Sequence, residues 1–405
     1  MRCVNLQGTG IGFISNIGNR VEDFWAGRVS KTQEFDIKDF DPKKFIKRKL
    51  LKPLDQITRY CIAGCNLALE SAGWFEENFI NDPQDAEFVD YRSLNEKEYK
   101  LLERSSVGII SGSMYHGIYS IFDIKKRFYE GGIENVSPLY FPGTVFNASA
   151  SHVAIEHHFT GPNCTVNSGM SSGLYAIIKG VQYLNTGRTK LMICGGAEMH
   201  FDYISHMYHK MGLLSKTKMY SPFDISGDGM MLGEGSCFFA LESKKNAISH
   251  NSKIYAEILS YHSNHCPDKK DIENCLYKCI IKTLRNETCD YTNMIDLIVL
   301  DGFGNPKVDG LISQVIDRIF KDSHAYIVSN KSTIGHTLGA SGAFNLLEGI
   351  LSLQNQEINP MQMRESPISD KLRITDMRIK HKVEYVLITS LGLDDGNYSC
   401  ILIKK

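Results

Sequence analysis

The stretch NCTVNSGMSSGLYAIIKGVQYLNTG constrains this chain more than any other part of it. A strand-like run meets a Gly/Ser-rich corner, a helical period follows, and the next strand, KLMICGGAEM, comes straight after. A corner of this kind presents one side chain at the N-terminus of a helix. The alternation also extends in both directions. Upstream lie CVNLQGTGIGFIS, the helix-like LDQITRYCIAGCNLALESAGW and the strand SVGIISGS. Downstream of GSCFFALESKKNA the rhythm restarts with IYAEILSYHS and DIENCLYKCIIKTLRN, and it ends in the strands VEYVLITSLGL and YSCILIKK. This predicts an α/β fold in which two related halves, 1–250 and 251–405, pack around one shared core. The acidic, weakly periodic segment near 74–104 is expected to be a surface excursion from the first half.

Charge and composition remove several function classes. The formal net charge of -1 supplies no field to draw the chain to nucleic acid or to an anionic membrane, so neither is expected as a partner. No apolar stretch approaches the roughly 18 to 20 residues that span a bilayer. The opening MRCVNLQGTG lacks a signal-peptide pattern, and cytoplasmic residence is the expectation. Eleven cysteines are scattered, odd in number and mostly set in apolar runs, which reads as reduced core residues. Cys266, Cys275, Cys279 and Cys289 lie near His262 and His265, yet they form no CxxC knuckle, and the spacing of Cys275 and Cys279 fits one helix face. No metal site is predicted.

Four Gly-rich motifs follow in order: GPNCTVNSGMSSG, SPFDISGDGMMLGEGSCFFALE, SNKSTIGHTLGASGA and TSLGLDDGN. Each alone is weak, but their order, spacing and strand-turn-helix contexts coincide. Together they resemble the β-ketoacyl-acyl-carrier-protein synthases over nearly the whole chain. That resemblance implies a thiolase-like fold, with two related halves forming a layered α/β/α/β/α core.

The resemblance also implies an active-site set that this chain does not keep. The family's nucleophilic cysteine, at the start of a buried helix, corresponds to Met170. A thioether has no proton to lose and forms no ordinary acyl-enzyme thioester. Cys164, earlier in the presumed buried strand, lacks the helix-terminus position. The first of two family histidines falls in the stretch matching Asp301-Gly302-Phe303-Gly304-Asn305, which puts Phe303 where an imidazole belongs. The second is retained as His336, and Lys331 matches the lysine usually found beside it. Asn345 replaces the family's usual glutamate. In the terminal motif Leu391 and Leu393 stand in the family's gating loop. A site of this kind works as a set, so its catalytic role is expected to be lost, with His336 and Lys331 kept for structure.

Thiolase-fold proteins without the cysteine resemble chain-length factors, the second subunit of type II polyketide ketosynthases. That likeness implies a heterodimer with an active ketosynthase and an acyl carrier protein whose phosphopantetheine bears the growing chain. It implies no cofactor of the subunit's own. Chain-length factors usually carry glutamine at the nucleophile position, and Met170 departs from that. The tunnel floor is assigned to Met114, Tyr115, Tyr119 and Phe122, bulky residues at near-helical spacing that ordinary core packing explains equally well. The strand just after the elbow helix is expected to pair across a two-fold axis, involving 163–168 and 141–150. A stand-alone malonyl decarboxylase and a structural homodimer remain as alternatives.

Overall fold

The computed structural model describes residues 6–27, 35–46, 51, 54–73, 107–249, 251–285, 289–321, 323–392 and 396–405. The segment assigned to the excursion near 74–104, and Leu393 of the gating loop, lie outside the described residues.

Ten strands share one sheet, and two more form a small ribbon. In chain order they are β1 (Leu6–Ile14), β2 (Val107–Gly112), β3 (Asn163–Val166), β4 (Leu191–Glu198), β5 (Gly235–Ser243), β6 (Ala256–His265), β7 (Leu297–Val299), β8 (Tyr326–Val328), β9 (Glu357–Ile358), β10 (Ile379–Lys380), β11 (Tyr385–Leu391) and β12 (Asn397–Lys404). The helices are α1 (Val21–Gly27), α2 (Gln56–Ser71), α3 (Ile118–Gly131), α4 (Ala148–His157), α5 (Ser172–Asn185), α6 (Asp202–Lys210), α7 (Lys244–Ser249), α8 (Ile272–Leu284), α9 (Pro306–Ile319), α10 (Lys331–Ile334) and α11 (Ser341–Asn355).

The sheet order is β3-β2-β4-β5-β1-β6-β12-β11-β7-β8, a palindrome of strand roles about the β1–β6 seam. In the first half β2 pairs parallel with β3 and β4, and β5 pairs antiparallel with β4 and β1. In the second half β7 pairs parallel with β8 and β11, and β12 pairs antiparallel with β11 and β6. The halves meet antiparallel through Leu6, Gln7 and Gly8 against Ile258, Glu257 and Ala256. The restart of the strand-helix rhythm after β5 therefore corresponds to a repeated topology.

Helices make the remaining layers. Outside the first half α2 lies on β1, β4 and β5; outside the second, α8 lies on β6 and β12. Between the two half-sheets α5 and α11 contact each other and strands of both halves. Every residue of α11 from Ser341 to Leu353 is buried, because a helix enclosed on all sides needs no polar stripe. Its leucines, Ile350 and Phe344 each gain roughly 1.5–3 kcal/mol on leaving water. The strands β4 and β5 are likewise buried along almost their whole length, as covered sheets are.

Local chemistry sets the boundaries. Asp55 caps α2 by accepting the Thr58 N–H at 3.0 Å, and the chain breaks out at Gly73. The same helix rides unusually close to β1, since a Cβ on Gly12 would fall 2.1 Å from the Gly64 carbonyl oxygen.

Two expectations about strands need correction. The strand after the elbow helix, β4, is flanked on both sides by β2 and β5 and has no edge to offer a second chain. The edge strand of the first half is β3, which precedes the elbow and holds the stretch 163–168 named for the pairing; β8 is the edge of the second half. For the same reason β3 is not a buried strand, and Asn163 is exposed while Cys164 is only half-buried.

Candidate functional site

The elbow between β3 and α5 is built from serine and glycine. Gly169 has φ of 55°, a left-handed conformation that glycine adopts without a Cβ penalty. The Ser168 N–H donates to Ser172 Oγ at 2.9 Å, and Ser172 Oγ donates to the Gly169 carbonyl, which locks the corner onto the first turn of α5. Met170 follows, one residue before the helix cap Ser171, and is 1% exposed. It therefore occupies the helix-terminus position the sequence pattern predicts, with a thioether in place of an ionisable group.

The opposite wall comes from the second half. Lys331, at the start of α10, is wholly buried. Its Nζ donates to Asn345 Oδ1 at 2.7 Å and to Asn330 Oδ1 at 3.1 Å, and it pairs with Asp301 Oδ1 at 3.0 Å. Asp301 also accepts from Ser341 Oγ at 2.9 Å, Asn345 Nδ2 at 2.7 Å and the Leu391 N–H at 2.8 Å. Burial alone would push its carboxyl up, but the Lys331 charge, with His336 and these donors, holds it below the ordinary range. The lysine thus keeps a buried counter-charge although residue 345 is an amide, and Asp301 carries it. Sequence reading placed Asp301 only as a neighbour of Phe303; its importance appears once three distant segments meet.

His336 is held by backbone on both sides, its N–H donating to the Met231 carbonyl at 2.8 Å and its carbonyl accepting from Gly233 at 3.1 Å. Its Nδ1 accepts the Leu338 N–H at 3.2 Å, so the proton of the neutral ring sits on Nε2. Leu338 reaches that position with φ of 44°, a conformation that costs a non-glycine residue about 1–2 kcal/mol. Burial, aided by Lys331 and opposed by Asp301, lowers the imidazole pKa to about 4. The ring is neutral at physiological pH, with Nε2 unpartnered among the described residues. Phe303 lies beside it at 5.4 Å between ring centroids. The Phe303 N–H is pinned to Asp309 Oδ1 at 2.8 Å, so the benzyl group is fixed where it offers no hydrogen bond.

The end of β11 joins the two walls. Ser390 Oγ donates to the Met170 carbonyl at 3.4 Å, and the next residue, Leu391, supplies its N–H to Asp301. The structure therefore brings Met170, Phe303, His336, Lys331 and Leu391 to one buried region, with a thioether at the elbow and one imidazole among these five side chains. Cys164 stays back on β3. Burial raises the thiol pKa of Cys194, Cys237 and Cys400 above the ordinary value, as for inert core thiols. Among the described residues no group of three or more His, Cys, Asp or Glu side chains is placed to hold a metal ion.

The four bulky residues after β2 separate into two environments, because α3 begins at Ile118 and only Tyr119 and Phe122 stand at helical spacing on it. Met114 and Tyr115 lie in the preceding turn, where Glu198 Oε2 accepts the Met114 N–H at 2.7 Å and Oε1 the Tyr115 N–H at 3.2 Å. Met114 also faces the elbow, its carbonyl accepting from Asn167 Nδ2 at 3.3 Å. Burial pushes Glu198 up to about 7 against the pull of these donors, and sequence reading missed this residue. Tyr119 packs edge-on to Phe201 at 5.6 Å, whereas Phe122 is 37% exposed and stacks on Tyr203 at 4.4 Å. No helix among the described residues is long and apolar enough to cross a membrane.

Comparison with known proteins agrees with this geometry. The beta-ketoacyl synthase N-terminal domain model matches residues 9–247, and the beta-ketoacyl synthase C-terminal domain model matches 255–363. A 3-oxoacyl-[acyl-carrier-protein] synthase 2 of Rhizobium meliloti (strain 1021) is 26% identical, over 97% of each chain. Among solved structures, the ishigamide ketosynthase/chain length factor superposes with a TM-score of 0.84 at 22% identity, covering 100% of this chain and 99% of that one. A type II PKS acyl-carrier protein in complex with its ketosynthase bound to the hexaketide gives a TM-score of 0.81 at 18% identity, covering 100% and 99%. With both domain models matched in order on a thiolase-like fold, the chain belongs to the beta-ketoacyl synthase family.

Proposed function

We propose that this protein is a subunit of the chain-length-factor type, noncatalytic in condensation. It pairs with an active, cysteine-bearing ketosynthase and shapes the tunnel for an acyl or poly-β-keto chain carried on the phosphopantetheine of acyl carrier protein, in the cytoplasm. The observation that carries this reading is Met170: the helix terminus is built and buried, yet its side chain is a thioether. Transacylation needs a nucleophile that ends as a neutral thioester, and a sulfonium does not serve. Phe303 removes the second requirement, because enolate stabilisation by two imidazoles is reduced to His336 alone.

An exposed apolar face supports a partner. Leu139, Phe141, Val145 and Ile155 are 67%, 66%, 46% and 60% exposed, on the segment before and within α4, beside the free edge of β3. Surfaces of this kind are usually covered by another chain. Met114, Tyr115 and Tyr119 then line the tunnel floor, while Phe122 reaches the surface end of the same wall. Native mass spectrometry of this chain, alone and coexpressed with a cysteine-bearing ketosynthase, tests the reading. A one-to-one complex is expected; a homodimer indifferent to the ketosynthase overturns it.

A further inference from the structure

A second constellation lies outside the site described above, where the end of β4 meets α6. His200 Nδ1 is 3.2 Å from Asp36 Oδ1, and His200 Nε2 is in direct hydrogen-bond contact with Ser205 Oγ. A carboxylate accepts and does not donate, so Nδ1 must carry the ring proton. In the neutral imidazole Nε2 is then bare and takes its hydrogen bond from the Ser205 hydroxyl. This is the acid-base-nucleophile order of a serine acyl-transfer site, set by the geometry of the three groups.

The arrangement is supported from behind. Glu234 Oε1 accepts the Ile37 N–H at 3.0 Å, and Oε2 accepts the His200 N–H at 3.3 Å. One half-buried carboxylate thereby fixes the backbone of the base and of the residue next to the orienting acid. Glu234 is a positioning residue in this scheme. Ser205 stands in the first turns of α6, and helical side chains lean toward the N-terminus. Phe201 caps that helix without a side-chain hydrogen bond, so the first N–H groups of α6 have no partner within the helix. His200 and Ser205 are half-buried, open enough to meet a substrate.

We propose that Asp36, His200 and Ser205 form a second, serine-based site that hydrolyses acyl thioesters. Ser205 Oγ bonds to the thioester carbonyl carbon while His200 Nε2 takes its proton; the C–S bond breaks, and that proton leaves on the thiol. Water then attacks the acyl-serine, gives a proton to His200 and releases the carboxylic acid, and Ser205 recovers its hydrogen. The net change is thioester plus water to acid plus thiol, with no oxidant or cofactor. The proposal stands independently of the partner-subunit reading.

The test is labelling of the full chain with a fluorophosphonate probe, peptide mapping of the label, and turnover of an N-acetylcysteamine thioester. Label is expected on Ser205, with Ser205→Ala and His200→Ala each lowering turnover by roughly a hundredfold or more and Asp36→Asn by at least about tenfold. Circular-dichroism melting checks that each variant is folded; should Ser205→Ala fail to fold, the wild-type peptide map decides. No label, label on another serine, or labelling of folded His200→Ala at the wild-type rate overturns the proposal.

Discussion

The two halves of the molecule supply opposite walls of one buried region and have kept very different amounts of it. The first half builds the elbow in full, with its left-handed glycine and serine lock, and places Met170 on it. The second half keeps an ionic network of Lys331, Asp301, Asn345 and Ser341, centred on Asp301, which takes Lys331, Asn345, Ser341 and the Leu391 N–H as partners. The difference separates two reasons for retaining a residue. A nucleophile serves only the reaction, and a thioether packs in its place. A buried lysine serves the fold as well, because removing it strands a carboxylate in a low-dielectric interior.

The strongest attempt to break this comparison is Lys331→Met. It leaves Asp301 uncompensated, and the expected loss is about 3–5 kcal/mol of unfolding free energy by urea titration. The double variant Lys331→Met/Asp301→Asn should recover most of it. A single variant as stable as wild type would show that the network does not hold the second half together.

Next come two buried titrating groups chosen from opposite halves, His336 and Glu198, whose shifts have opposite signs. Folded His336 stays neutral down to about 4, while the unfolded chain charges it near its ordinary value of 6.5. Its contribution to stability is therefore present above pH 6.5 and lost as the pH falls toward 4, about 3 kcal/mol in all. Glu198 holds its proton up to about 7 when folded but ionises near its ordinary value of 4.5 when unfolded, so it costs stability as the pH rises through that window, again about 3 kcal/mol. Unfolding curves between pH 4 and 7 for His336→Asn and Glu198→Gln, each subtracted from wild type, should slope in opposite directions. Parallel slopes would remove the distinction.

Substitutions at the elbow sharpen the comparison at lower cost. Met170→Leu conserves volume and is expected to cost under about 1.5 kcal/mol in thermal denaturation. Met170→Cys combined with Phe303→His should gain little condensing activity in an acyl-carrier-protein assay, because Asn345 and the gating loop also differ. Robust condensation would mean that the first half is still an active scaffold. The smallest effect is expected at the surface end of the tunnel wall. Phe122→Ala removes an exposed stack on Tyr203 worth about 1 kcal/mol. In a reconstituted complex Met114→Ala and Tyr119→Ala should lengthen products more than Phe122→Ala does, and equal product lengths would assign all three to ordinary packing.

The sequence by itself determined the elements, their repetition and the elbow, because these depend on period, glycine placement and capping within short windows. Met170, Phe303, His336 and Lys331 were legible through motifs whose residues are neighbours in the chain. Tertiary structure alone decided the contacts between motifs. Asp301 became the counter-ion of Lys331, Ser390 reached the elbow, Glu198 clasped Met114 and Tyr115, and Asp36 met His200 and Ser205. It also decided that β3 and not β4 is the edge strand of the first half, and it divided Met114 and Phe122 between a half-buried turn and the surface. The physical reason is range. Local propensity is fixed within a few residues, whereas a charge partner or a sheet edge is selected by packing between segments far apart in sequence, and a single sequence carries no period that announces it.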